Sequence, residues 1–283
     1  MKIWCLYLVF GEKHIETGLY ELKKLINKLF HNENYKIIII NNAENDRKIV
    51  DIDFNTVLIE GDNSNREFSG WDRGFKYLSE IAKPSLNDAI IIANDTFHRN
   101  YGNDYLKLFR KKSIKKTIEK KGFAGYYDAY PEKITIFGLE LQWWLRSSII
   151  IGSYQAFQRI LPLSLPFSSE EIFSNDPQVF FKEGSNLSRQ YKCYLKGWLI
   201  RDYEGCKLFK EAWHSQEPIN EKNFGNMKDK ARSILCEHYL SAKAQKMRIY
   251  MHRINKTNFY YKMINYLRVG IHKIRYIDNG LSK

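Results

Sequence analysis

The first hundred residues switch repeatedly between two hydrophobic patterns. Residues 3–10 form a compact apolar run that stops at Gly11, which predicts a parallel strand buried on both faces. Residues 16–30 carry Leu19, Leu22, Leu25, Ile26 and Leu29 at helical spacing with lysines opposite, which predicts an amphipathic helix. Residues 35–40 make a second buried strand, ended by Asn41-Asn42. Residues 56–59 make a third, ended by Glu60-Gly61-Asp62-Asn63. A helix over 68–82 closes before Pro84, and 88–93 is a fourth strand ending in Asn94-Asp95. This alternation predicts an α/β fold with an open, Rossmann-type, mostly parallel sheet flanked by helices. Ligands of such sheets sit off the carboxyl ends of the strands, which places Asn41, Asp62, Asn63 and Asp95 along one polar edge.

The pattern changes after residue 120. Strands are expected over 122–130, 134–139 and 144–151, with a short helix following through Phe157. A further helix is expected over 180–195, leading to Gly197. Beyond about 208 the chain reads as helical and basic. The expected division is an α/β domain over 1–215, in two halves of about 1–100 and about 120–215, and a basic helical C-terminal extension over 216–283.

Composition sharpens this picture at three points. With 283 residues, 44% hydrophobic and 27% charged, the chain can bury a sizeable core and is not disordered. Four scattered cysteines (Cys5, Cys193, Cys206, Cys236) form no CxxC pair and read as reduced thiols. No stretch approaches the ~18–20 apolar residues of a membrane span. A cytoplasmic protein is expected. The formal charge of +13 is concentrated over 107–121 and 243–275. Such charge suits a phosphorylated ligand, an anionic membrane or a nucleic acid.

Four features could carry chemistry. Asp95, directly after a buried strand, is placed where a carboxylate could hold Mg²⁺ or Mn²⁺ against a diphosphate; an Asn-Asp pair also ends strands for side-chain-to-backbone reasons alone. The polar stretch 63–74 feeds a helix, so its backbone N–H groups, with Arg66 or Arg73, could meet phosphate, although an ordinary loop and helix entry would look the same. Glu183 is a carboxylate that could take an acceptor proton, or an ordinary surface glutamate. His98 or His214 could complete a metal shell, or be structural.

Taken in order, Asn-Arg-Glu-Phe-Ser-Gly-Trp-Asp-Arg-Gly (65–74), Ile-Ile-Ala-Asn-Asp-Thr-Phe (91–97), Trp-Leu-Arg-Ser-Ser-Ile-Ile-Ile (144–151) and Glu-Gly-Ser-Asn-Leu-Ser (183–188) with a later Lys-Gly-Trp (196–198) resemble the bacterial polysaccharide glycosyltransferases of the GT-A fold. The likeness is to rhamnan-synthesis-like and O-antigen or capsule transferases, and it spans roughly 1–215, which it implies is a catalytic domain with a donor-binding half over about 1–100 and an acceptor half over about 120–215. It implies that Asn94, Asp95 and Thr96 stand in for the metal-binding motif, with one acidic residue where many relatives have two or three. It implies donor contacts from Asp72, Arg73 and Gly74, alongside Asn63 and Arg66, and Glu183 as general base. The function so implied is an inverting sugar transfer from a nucleotide-diphosphate donor to a lipid-linked glycan in cell-surface polysaccharide synthesis. Trp143 and Trp144 would floor the acceptor site. The basic C-terminal region would hold the protein to the inner face of the membrane, and no nucleic acid would bind. The alternatives are a basic nucleic-acid-binding protein on a Rossmann-like core, or an inactive membrane scaffold.

Overall fold

A computed structural model describes residues 1–43, 49–99, 102–200 and 218–255. The chain opens with β1 (Ile3–Val9), α1 (Ile15–Phe30), β2 (Tyr35–Asn41), β3 (Val50–Asp53), β4 (Thr56–Glu60), α2 (Glu67–Ile81) and β5 (Ala89–Asn94). A 3-10 turn (Asp104–Leu108) and α3 (Lys111–Glu119) lead into a long hairpin, β6 (Phe123–Ile136) and β7 (Leu139–Ser153). Then follow α4 (Tyr154–Ile160), α5 (Ser169–Ile172), α6 (Arg189–Leu199), α7 (Phe224–Lys246) and β8 (Met251–Arg253). The strands form one sheet in the order β3-β4-β2-β1-β5-β7-β6-β8.

The fold is α/β, as the alternating periods predict. β4, β2, β1 and β5 are mutually parallel and β3 and β7 flank them antiparallel. β1 is buried along its whole length because each face of the sheet carries its own apolar layer. One layer joins Leu6, Leu8, Ile38 and Ile40 to Trp71 of α2 and Leu235 of α7. The other joins Cys5, Tyr7, Ile37 and Ile39 to Leu22 and Ile26 of α1 and Ile114 of α3. The chain leaves β1 toward β2 and β4, then returns to β5 on β1's other side. The strand order therefore reverses between β1 and β5, and sheets of this kind bind ligands off the carboxyl ends of the strands at such a reversal.

Several elements differ from the sequence reading. β3 is a fully exposed edge strand without alternating burial, so no pattern announces it. α3 buries only Ile114, Thr117 and Ile118, a stripe masked by its lysines. The helix expected over 180–195 starts at Arg189, after Ser188 accepts the Tyr191 N–H as N-cap. The segment before it is bridge and turn: Phe181 pairs with Phe173 and Leu187 with Ile136, so Glu183 is not helical. The boundary placed at 215/216 falls outside the described residues. Beyond it, α7 covers the sheet and β8 extends it beside β6, so the described part of the C-terminal region is core.

The join between β6 and β8 is tight. A methyl group at Gly122 would lie 2.1 Å from the Tyr250 carbonyl oxygen, whereas one at Gly225 in α7 would meet nothing within 4 Å. Gly122→Ala is expected to lower stability by about 2 kcal/mol, and Gly225→Ala to leave it unchanged or slightly raised. Urea denaturation of the two variants checks both expectations.

Candidate functional site

The carboxyl ends of the parallel strands are level: Val9 pairs with Asn41, Asn41 with Glu60 and Leu8 with Asn94. The loops leaving them are latched by side-chain amides. Asn41 Oδ1 accepts from the Gly11 N–H (2.9 Å) and the Ala43 N–H (3.1 Å). Asn42 Nδ2 donates to the Arg66 carbonyl (2.8 Å) and to Asn63 Oδ1 (3.3 Å). At the reversal between β1 and β5 the Phe10 N–H donates to Asp95 Oδ2 at 3.3 Å. Asp95 is half-buried there. Asn94 is turned inward, its Oδ1 accepting from the Thr96 N–H and hydroxyl.

Arg66 is the anomaly of this edge. It is the N-cap of α2 at φ 52°, ψ −130°, a conformation that disfavours any residue with a Cβ. Its carbonyl accepts from Asn42 Nδ2 and from the Gly70 N–H (3.3 Å), while the Ser69 hydroxyl donates to the Asp62 carbonyl (2.5 Å) and accepts from the Asn65 N–H (2.8 Å). The Arg66 Nε is buried and without a partner. Arg232 of α7, which bonds the side chain of the preceding Asn65, is 9% exposed. Arg232 donates through Nε to Asn65 Oδ1 (2.5 Å) and through Nη2 to the Phe167 carbonyl (2.6 Å), yet its Nη1 has no partner. Two buried guanidinium donors at one helix start are thus unsatisfied by protein. Such donors ordinarily carry hydrogen bonds, and an anionic oxygen is their natural acceptor.

The far wall comes from β7 and α7. β7 pairs with β5 only as far as Ile149 opposite Ala93, so its earlier residues run past the end of β5. There α7 supplies acceptors in place of a strand. The Leu145 N–H donates to Ser241 Oγ (3.0 Å) and the Ser147 N–H to Glu237 Oε2 (2.5 Å). Residues 233, 237 and 241 share one face of α7, and Ser233 is near enough to Glu67 at the start of α2 to lower its proton affinity.

The carboxylates of this edge feel one another. Burial pushes Glu67 above the usual carboxylate range, Asp95 adding to the rise while its bonds and Arg66 oppose it. Burial pushes Glu237 up to about 7, against its bonds to Ser147, and the charges on Asp128 and Glu67 add to the rise. Asp128 is itself paired with both Nε and Nη2 of Arg146. A carboxyl group that titrates near neutrality beside hydroxyl groups is chemically equipped to move a proton.

The other sequence candidates are placed as follows. Asp72 accepts from the Leu163 N–H (2.7 Å), the Ser164 N–H (2.9 Å) and the Ser164 hydroxyl (2.6 Å), so it ties α2 to the 163–164 loop. Gly74 is a packing glycine; a methyl there would meet Ile40 Cδ1 at 2.5 Å. Arg73 is half-buried. Trp144 lies in the core, 4.5 Å from the His238 ring and 4.7 Å from Tyr130, and cannot floor an open site. Trp143 stacks on Tyr127 at 4.7 Å. Glu183 is exposed, in a turn beside Asn186, whose carbonyl receives the Phe137 N–H at the hairpin tip. Counting back along β7 from Ser147, that tip lies roughly 25 Å further out. His214 lies outside the described residues. Among the described residues no three His, Cys, Asp or Glu side chains converge to cage a metal. The carboxylates of this edge instead suit a cation carried in on substrate phosphates, bound by one or two protein oxygens.

The sequence reading missed Glu67, Arg232 and Glu237. Glu67 stood inside a quoted motif, and the i, i+4 spacing of Ser233 and Glu237 was the available signal for the other wall. Only the fold shows what they face.

Comparison with known proteins adds little to the geometry. No family model matches the chain, and no curated protein matches it. Among solved structures, a 4-diphosphocytidyl-2C-methyl-D-erythritol synthase is similar over 58% of this chain and 80% of its own, with a TM-score of 0.34 and 11% identity. A likeness at that level carries no argument about activity.

The raised value of Glu237 sets a pH dependence. The folded protein holds a proton on Glu237 up to about pH 7, whereas an unfolded glutamate releases it near ~4.3. Between those values the native state binds more protons than the unfolded state, so this group lowers stability as pH rises and the loss is complete above 7. Glu237→Gln keeps an oxygen for the Ser147 N–H and removes that slope. At pH 8 it is expected to be more stable than wild type by on the order of 1–3 kcal/mol, with little difference at pH 5. Denaturant midpoints across pH check this.

Proposed function

We propose that this protein is a transferase acting on a nucleotide-diphosphate donor, and that the group transferred is a sugar. The observation that carries the reading is the pair of unsatisfied buried guanidinium donors, Arg66 Nε and Arg232 Nη1, at the carboxyl edge that also carries Asp95. Two cationic forks there would hold a diphosphate. Asp95, at the strand reversal, would bind a divalent cation together with the donor's own phosphates. Such a cation, when bound, neutralises charge on the departing diphosphate.

Glu237 would take the proton from an acceptor hydroxyl. It lies on α7, the helix that also carries Arg232, and the Ser147 N–H fixes its Oε2. Glu183 supports that role less well, because it is exposed on a turn at the hairpin tip. The resemblance to polysaccharide transferases extends the reading to a glycan acceptor, lipid-linked and assembled at a cell membrane. No described helix is long and apolar enough to cross a membrane.

A panel of nucleotide-diphosphate sugars with Mn²⁺ or Mg²⁺, scored for hydrolysis and transfer, tests the activity. Glu237→Gln is expected to lower turnover at least ~100-fold with donor affinity retained, and Glu183→Gln to change it little. The reverse ranking would move the base to Glu183. Arg66→Gly separates site from scaffold. It should relieve backbone strain and raise stability by about 1 kcal/mol, while donor affinity falls at least ~10-fold. Loss of both stability and affinity would show that Arg66 is structural.

A further inference from the structure

We infer that the exposed face of α3, continued by the turn between α7 and β8, is a docking surface for an anionic lipid membrane. The surface lies outside the site above, and the inference does not rest on the transferase reading.

The charge over 107–121 consists of seven lysines and one arginine, with Asp104 and Glu119 as nearby acids. Folding puts it on one side. Lys111, Lys112, Lys115, Lys116 and Lys120 are all exposed, and at 3.6 residues per turn they fall within about half the helix circumference. Ile114, Thr117 and Ile118 occupy the other half and pack into the core. The nearby acids neutralise little of this face, because Asp104 is paired with Lys107 at 2.7 Å and leaves Glu119 alone against the row. The row continues past the helix. Lys120 Nζ stands 4.6 Å over the Tyr250 ring, and Lys116 with burial holds His252 below its ordinary pKa. The adjoining turn exposes Lys246, Met247 and Arg248.

Lipid fits this surface better than nucleic acid. Lysine is a point charge without the planar fork that reads bases, and single-strand binders need exposed rings for stacking. Here the exposed apolar residues are aliphatic: Leu108 (38%) at one end and Met247 (40%) at the other. Aliphatic side chains flanked by cations suit insertion between headgroups, with the lysines held at the anionic surface.

The test is sedimentation of the full chain with phosphatidylcholine vesicles made with and without phosphatidylglycerol. Wild type is expected to bind only the anionic vesicles, and less as salt is raised. Changing Lys111, Lys112, Lys115 and Lys116 together to Gln should weaken binding by roughly 600-fold, each cation near the surface being worth a factor of about five. The same four changed to Arg should bind like wild type, and both variants should melt with wild type. A separate variant neutralising the basic residues of 256–283 should keep most of the binding. The inference is overturned if the Gln variant binds as wild type, if only the 256–283 variant loses binding, or if neutral vesicles bind equally well. It is also overturned if an oligonucleotide duplex binds more tightly than the vesicles and is lost with the same four lysines.

Discussion

The site depends on how the backbone of β7 is satisfied where it outruns β5. A strand edge inside a protein must find hydrogen-bond partners for its amides, and here α7 provides them from side chains. Ser241 and Glu237 accept from Leu145 and Ser147, two turns of one helix face reading alternate residues of one strand. That contact sets the distance between sheet and helix. It also forces a glutamate into the wall, where burial raises its proton affinity. Structure and chemistry thus share one hydrogen bond.

The opposite wall is set by an equally specific compromise. α2 begins at a residue whose backbone angles suit glycine, and bonds from Asn42 and Gly70 to its carbonyl hold it there. Each of those partners is itself latched to a strand end or to the helix. Arg232 reaches the start of α2 from α7 through Asn65. Strain at a site persists only where its surroundings over-determine it, and these bonds do so. The contacts among α2, α7 and the 163–167 loop, including Asp72 with Ser164 and Arg232 with Phe167, close the wall from behind.

The charge of the molecule divides along the same lines. The carboxyl edge of the sheet mixes carboxylates with arginines, among them Arg232 bonded to Asn65 and Phe167, whereas the α3 face carries exposed lysines. Net charge read from the sequence could not separate the two, because it counts Arg232 and Lys112 alike.

Much of the fold was legible in order along the chain. Parallel strands are buried on both faces, so β1, β2 and β5 appear as unbroken apolar runs, and the polar residues that end them mark the carboxyl edge with Asp95 on it. Elements without such a contrast were not legible: β3 is exposed throughout, and the turn around Glu183 carries a helix-like pattern of aromatics that packs as bridges. What only tertiary structure decided was which distant groups share a neighbourhood. Sequence spacing places Glu237 four residues from Ser233, but that it meets Ser147 and feels Glu67 depends on the sheet order and on β7 being longer than β5. Local periodicity is set by each segment's own geometry. Long-range pairing depends on backbone groups that only the assembled sheet leaves unsatisfied.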